Sequence, residues 1–134
     1  MTYTRPMEAV EQHGVRVLSF PPDGAVISDD RQAVDLIALA RPHQARLLVL
    51  PVSRLHPDFF TLRTGVAGAI VQKFVQYRVP VAFLGDITEY LAASSSLRAF
   101  VYEANRGKDF WFVADESELD GRLARAVTAG RTTR

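Results

Sequence analysis

Short apolar runs alternate along the chain with longer stretches in which apolar residues recur every three or four positions. The first two runs, residues 7–12 and 15–20, are split only by His13-Gly14, a dipeptide suited to the positive φ angles of a tight β-hairpin. Pro21, Pro22 and Gly24 stop the second strand. Ser28-Asp29-Asp30 then offers side-chain oxygens to cap a helix over 30–40, with Ala33, Val34, Ile37, Ala38, Leu39 and Ala40 giving it an apolar side. Pro42 ends that helix, because the residue before proline avoids the α region. Residues 46–52 contain Leu47-Leu48-Val49-Leu50, the unbroken run expected of a central strand covered on both faces.

The longest helical pattern covers 62–77. Leu62, Val66, Ile70 and Phe74 repeat every four residues, with Ala67, Val71 and Val75 widening the stripe and Gln72, Lys73 and Gln76 opposite. Gly65 and Gly68 weaken this helix by up to about 1 kcal/mol each, which implies close approach of a backbone or a partner near its start. A second buried strand covers 79–84. A helix over 88–105 follows, interrupted at Ser94-Ser95-Ser96 and closed by Gly107 as a left-handed cap. Residues 110–113 form a third buried strand, and 115–117 cap a last helix over 118–127. The polar, basic tail 129–134 is expected to fray.

The order β-β-α-β-α-β-α-β-α predicts an α/β fold. Its sheet is mixed and mostly parallel, four- or five-stranded, with an N-terminal β-hairpin at one edge and helices mainly on one face. At 134 residues a single domain over 1–128, followed by a flexible tail, accounts for the chain. Leu48, Leu50, Val81, Phe83 and Val113 are the residues expected to be most deeply buried.

Composition narrows the function classes. Hydrophobic residues make up 48% and charged residues 23%, which argues against disorder. The absence of cysteine removes disulfides and thiolate metal sites. The net charge of +1 calls for neither nucleic acid nor an anionic membrane. No apolar stretch reaches the length of a membrane span, and residues 1–6 lack the apolar core of a signal peptide. A cytoplasmic protein is expected. Only Lys73 and Lys108 are lysines among the basic residues, a bias that points to a GC-rich bacterial genome.

Catalytic signatures do not emerge. His13, His43 and His56 lack a second histidine at ligand spacing, and no G-x-S-x-G elbow, G-x-G-x-x-G or Walker loop occurs. The acidic pairs Asp29-Asp30, Asp115-Glu116 and Glu118-Asp120 sit at helix starts, where carboxylates complement the macrodipole. Phe110, Trp111 and Phe112 belong to a strand. No metal and no cofactor is expected. In parallel α/β sheets function gathers at the carboxyl ends of the strands, here the 51–64 loop, Gly85-Asp86-Ile87-Thr88 and Ala114-Asp115-Glu116-Ser117. Thr64, before Gly65, can cap the helix that follows. Alternatively it can carry a phosphate, with Arg63 adding a charge-assisted contact.

The element order, with a hydroxyl residue and glycine opening the second helix, resembles the STAS domain of bacterial anti-sigma-factor antagonists. More closely, Leu55-His56-Pro57-Asp58-Phe59-Phe60-Thr61-Leu62-Arg63-Thr64-Gly65, Gln72-Lys73-Phe74, Tyr77-Arg78, Gly85-Asp86-Ile87 and Asn105-Arg106-Gly107 resemble an uncharacterised, STAS-like bacterial family of unknown function. The STAS resemblance implies a regulatory protein-interaction module. It puts Thr64 at the position of the phosphorylated serine, while that family's aspartate and first serine fall on Leu62 and Arg63. The expected site is Asp58, Thr61, Arg63, Thr64, Asp86 and Thr88, docking a protein partner, with Thr64 as the candidate switch. The alternative is a small-molecule-binding protein or small enzyme using the same crevice. A homodimer is left open.

Overall fold

The computed structural model describes residues 7–132, with side chains as far as residue 126. Strands β1 (Ala9–Gln12) and β2 (Val15–Ser19) form the expected hairpin, and Gln12 faces Val15 across a two-residue turn. His13 (φ 53°) and Gly14 (φ 81°) both take positive φ there, the geometry that matches the twist of paired strands. β3 (Leu47–Pro51), β4 (Val81–Leu84) and β5 (Phe110–Val113) add in parallel, giving a five-stranded sheet in the order β1-β2-β3-β4-β5. The architecture is the mixed, mostly parallel α/β sheet anticipated from the sequence.

This order fixes where the helices lie. Every parallel crossover steps one place in the same direction, and right-handed connections then put every crossover helix on one face. Helices α1 (Asp30–Ala40), α2 (Val66–Gln76), α3 (Thr88–Ala93) and α4 (Ser95–Arg106) are those connections. Ala33, Ile37, Ile70, Phe74 and Leu97 join Leu18, Leu48, Leu50, Val81 and Phe83 in the larger core. α5 (Glu116–Thr132) follows the last strand and completes no crossover, so it is free to fold onto the other face. There Leu119 and Leu123 cover Val17, Leu47, Val49, Ala82 and Val113. β3 is thus buried on both sides, as its unbroken apolar run requires. Leu48, Leu50, Val81, Phe83 and Val113 are each at most 2% exposed.

Local chemistry sets the boundaries. Asp29 caps α1 by accepting the Gln32 amide hydrogen at 2.9 Å, and the Gln32 side chain accepts the Ser28 amide at 2.7 Å. The triple serine does break the expected 88–105 helix: α3 stops before Ser94, whose hydroxyl accepts the Leu97 amide at 3.1 Å and starts α4. Four expectations are corrected. α2 begins at Val66 rather than at 62, because residues 62–64 form a separate 3-10 turn closed by Gly65 in the left-handed region (φ 81°). Gly107 follows α4 with φ −93°, so it is not a left-handed cap. Gly68 faces open space, so no close approach explains it. α5 continues past the expected end at 127 to Thr132, taking in residues 129–132 of the expected tail. Thr133 and Arg134 lie outside the described residues.

β5 is an edge strand, and an unprotected edge invites pairing with another chain. The Asn105 side chain lies along it, accepting the Phe112 amide at 2.7 Å and donating to the Phe112 carbonyl at 3.2 Å. The Glu118 carboxylate accepts the Ala114 amide at 3.2 Å. Side chains thereby occupy edge groups that another strand would use.

Candidate functional site at the carboxyl ends of the strands

The loop after β3 is long because it is built from three consecutive 3-10 turns, Val52–Arg54, Pro57–Phe60 and Leu62–Thr64. Arg54 anchors the first. It is only 7% exposed, and it donates from Nε to the Ala25 carbonyl (2.8 Å) and from Nη1 to the Pro21 carbonyl (3.0 Å). Gly24 leaves room for that guanidinium, since a Cβ there would come within 2.7 Å of Arg54 Cζ. Ile27 donates to the Arg54 carbonyl at 2.6 Å and its own carbonyl accepts from the His56 amide at 3.0 Å, so the loops after β2 and β3 are zipped together.

The second turn is held by two phenylalanines pointing in different directions. Phe59 is fully buried against Phe83 (5.2 Å between ring centroids) and Phe112 (6.1 Å). Burying such a side chain contributes about 1.5–3 kcal/mol. Phe60 turns toward α3, where Tyr90 stacks on it at 4.2 Å and an interplanar angle of 11°. Tyr90 remains 40% exposed. Between the 3-10 turns and α3 lies an open groove of about 430 Å³, lined among others by Phe60, Leu62, Arg63, Glu89 and Tyr90. Thr61, Ser94 and Ser96 add hydroxyls to its walls.

The residues singled out from sequence fall into three groups. Thr61 and Arg63 are exposed and line this groove. Thr64 is exposed but its hydroxyl is occupied: it lies 2.7 Å from the Asp58 carbonyl and 2.8 Å from the Thr61 carbonyl, to which it donates, and it accepts the Val66 amide at 3.3 Å. One side chain thus closes the last 3-10 turn and satisfies an amide at the start of α2. Asp58 supplies one of those carbonyls, while its carboxylate lies 3.7 Å from His56 Nδ1 and its amide donates to the same nitrogen at 3.0 Å.

Asp86 and Thr88 belong to a different hollow, about 230 Å³, with Asn105, Ala114 and Glu118 among its walls. Asp86 accepts both the hydroxyl and the amide of Thr88, and these two bonds hold its carboxyl below the ordinary 3.8. Gly85 before it has φ 149°, and a Cβ there would fall 2.2 Å from Val52 Cγ2. The loops after β3 and β4 therefore meet at a contact only glycine permits.

Sequence reasoning placed none of Tyr90, Glu89, Asn105 and Arg54 in the site. The break at Ser94 was the available signal for Tyr90, since a six-residue α3 cannot bury a full face. Among the described residues no cluster of histidine and carboxylate side chains is placed to hold a metal ion. No helix among them is long and apolar enough to cross a membrane. Residues 12–123 match a family model described as a domain of unknown function, DUF4180. No curated protein and no solved structure matches the chain.

Proposed function

The chain belongs to the DUF4180 family, and we propose that its fold serves as a non-catalytic module that docks a protein partner through the groove between the 3-10 turns and α3. The observation that carries this reading is the Phe60–Tyr90 stack beside Arg63. An exposed tyrosine on a rigid aromatic base, next to an arginine with no carboxylate within ion-pair distance among the described residues, is the composition of a protein interface anchor. The polar groups that could have done chemistry support the same reading. The Thr64 hydroxyl is spent on its own loop's backbone, Asp86 and Thr88 bond to each other, and those two line a separate hollow from Arg63.

The STAS-like reading fits within this proposal. Phosphorylation of Thr64 would remove its hydroxyl proton, and with it the bonds to the Asp58 and Thr61 carbonyls. The turn that carries Arg63 would loosen, and the groove would change shape. A bacterial cytoplasm suits a cysteine-free, arginine-rich chain of this kind.

Affinity capture from the source cells tests the proposal. A protein bound by the wild type and reduced about tenfold or more by both Tyr90→Ala and Arg63→Glu is the expected result, the loss typical of an interface anchor. Thr64→Glu should weaken the same capture more than Thr64→Val does. A partner retained equally by all variants would place the interface elsewhere.

A further inference from the structure

The net charge of +1 conceals a cluster of cations at one end of the sheet. Asp29, Asp58, Asp86 and Asp115 lie at the carboxyl ends of the strands. Arg16, Arg46, Arg78 and Lys108 lie at the opposite end, in or just before β2, β3, β4 and β5, and Arg41 joins them after α1. All five cations are exposed, and among the described residues none is within ion-pair distance of a carboxylate. They are neighbours: the Arg46 amide donates to the Arg16 carbonyl at 2.7 Å, and Arg78 and Lys108 line one hollow. Helix macrodipoles account for basic residues in a last helical turn, such as Lys73 or the Glu103-paired Arg106. Arg78 and Lys108 follow the C-termini of α2 and α4, where the macrodipole favours a cation, and Arg16 donates from Nε to the His43 carbonyl at 2.6 Å, but none of these contacts supplies a carboxylate.

Backbone strain marks the same end. Arg78 (φ 58°) and Gln44 (φ 54°) occupy the left-handed region, where a side chain is strained relative to glycine. Arg78 sits where helices commonly end on glycine, and the Val79 amide closes that motif on the Phe74 carbonyl at 2.9 Å. Each strained residue lines a hollow. Arg78 and Lys108 share one of about 560 Å³ with Asp109. Gln44 lines another of about 590 Å³ with Arg16, Arg46 and Glu11. Each hollow therefore sets two cations against one carboxylate. Beside them, Leu39 (55%), Val75 (43%) and Tyr77 (40%) are exposed, and Arg41 lies over the Tyr77 ring at 5.9 Å.

We propose that this end of the sheet is a docking face for the anionic phosphate headgroups of a phospholipid bilayer. Arginine grips phosphate oxygens through paired N–H groups, and clustered cations are drawn to a negatively charged leaflet. The exposed aliphatic side chains and Tyr77 suit the interfacial layer beneath the headgroups. Nucleic acid fits less well. Arg41 occupies the Tyr77 ring face that a base would stack on. Docking through this end leaves the groove at the other end free, so the inference does not rest on the partner reading.

Cosedimentation of the full chain with vesicles tests it. Binding to phosphatidylcholine containing an equal share of phosphatidylglycerol should exceed binding to phosphatidylcholine alone by about tenfold or more and should vanish at high salt. The double variant Arg78→Glu, Lys108→Glu should lose that excess, and Arg31→Glu at the opposite end should keep it. Arg78→Gly is the discriminating variant. It relieves the left-handed strain, so its melting temperature should not fall, yet binding should drop about fivefold for one lost cation. Equal binding to both vesicle types, or wild-type binding by Arg78→Gly, overturns the proposal. So does tighter binding of a single-stranded oligonucleotide than of the anionic vesicles, or full displacement by inorganic phosphate.

Discussion

Gly85→Ala puts a measurable load on the contact that joins the two rim loops. The glycine has φ 149°, a region that residues with a Cβ rarely enter, and holding alanine there costs about 1–3 kcal/mol. The added Cβ would also sit 2.2 Å from Val52 Cγ2. Relieving that overlap means displacing the end of β4 or the turn after β3, and overpacking of this kind costs about 1–3 kcal/mol. Together the substitution should destabilise the chain by about 2–6 kcal/mol. Urea denaturation reads this directly: with m of about 2 kcal/mol/M, the midpoint should fall by about 1–3 M. Val52→Ala removes both γ carbons, so in the double variant the overlap share should return while the strain share stays. The two substitutions should then couple by about 1–3 kcal/mol in a double-mutant cycle. A Gly85→Ala protein within about 0.5 kcal/mol of wild type would refute both the steric and the conformational argument, and a cycle with no coupling would refute the steric one.

Three further outcomes follow from the same geometry. Asn105→Ala leaves the Phe112 amide and carbonyl on the β5 edge without their side-chain partner, and should cost about 1–3 kcal/mol. It should also promote self-association, measurable by light scattering, whereas a monomer of unchanged stability would show that the edge needs no cover. Arg54→Lys cannot reach both the Pro21 and Ala25 carbonyls from one point charge, and should cost about 1–3 kcal/mol in thermal or urea melts. The Asp86 carboxyl is held below 3.8 by the Thr88 hydroxyl and amide, so its contribution to stability is complete above that pH and is lost as pH falls through the lower folded value. The stability gap between wild type and Asp86→Ala should therefore narrow only below about pH 4, and a gap that closes between pH 5 and 7 would assign it to another group.

Much of the fold was legible because it rests on periodicity. The run Leu47-Leu48-Val49-Leu50 could only be covered on both faces, and it lies at the centre of the sheet. His13-Gly14 and Ser94 acted where their backbone preferences said they would. The start of α2 was not legible. Leu62 continues the four-residue stripe, but the Thr64 hydroxyl and the left-handed Gly65 end a 3-10 turn first, and periodicity does not register a change in hydrogen-bond pattern. The site was legible in part. The rim was placed by the parallel topology, but Asp86 and Thr88 face a separate hollow from Arg63. That division depends on α3 lying between the rim loops, which spacing along the chain does not encode. Net charge hid the basic end of the sheet, because the cations there and carboxylates elsewhere in the chain cancel in the sum.

The central claim is that a protein docks at the groove beside Phe60 and Tyr90, and site-specific photo-crosslinking in living source cells tests it most directly. A photoreactive residue at Thr61 or Glu89, which line the groove, should trap one and the same protein. The same residue at Tyr102, 63% exposed on α4 away from the groove, should not. Trapping of that protein from Tyr102 as efficiently as from Thr61, or of none from either groove position, would contradict the account.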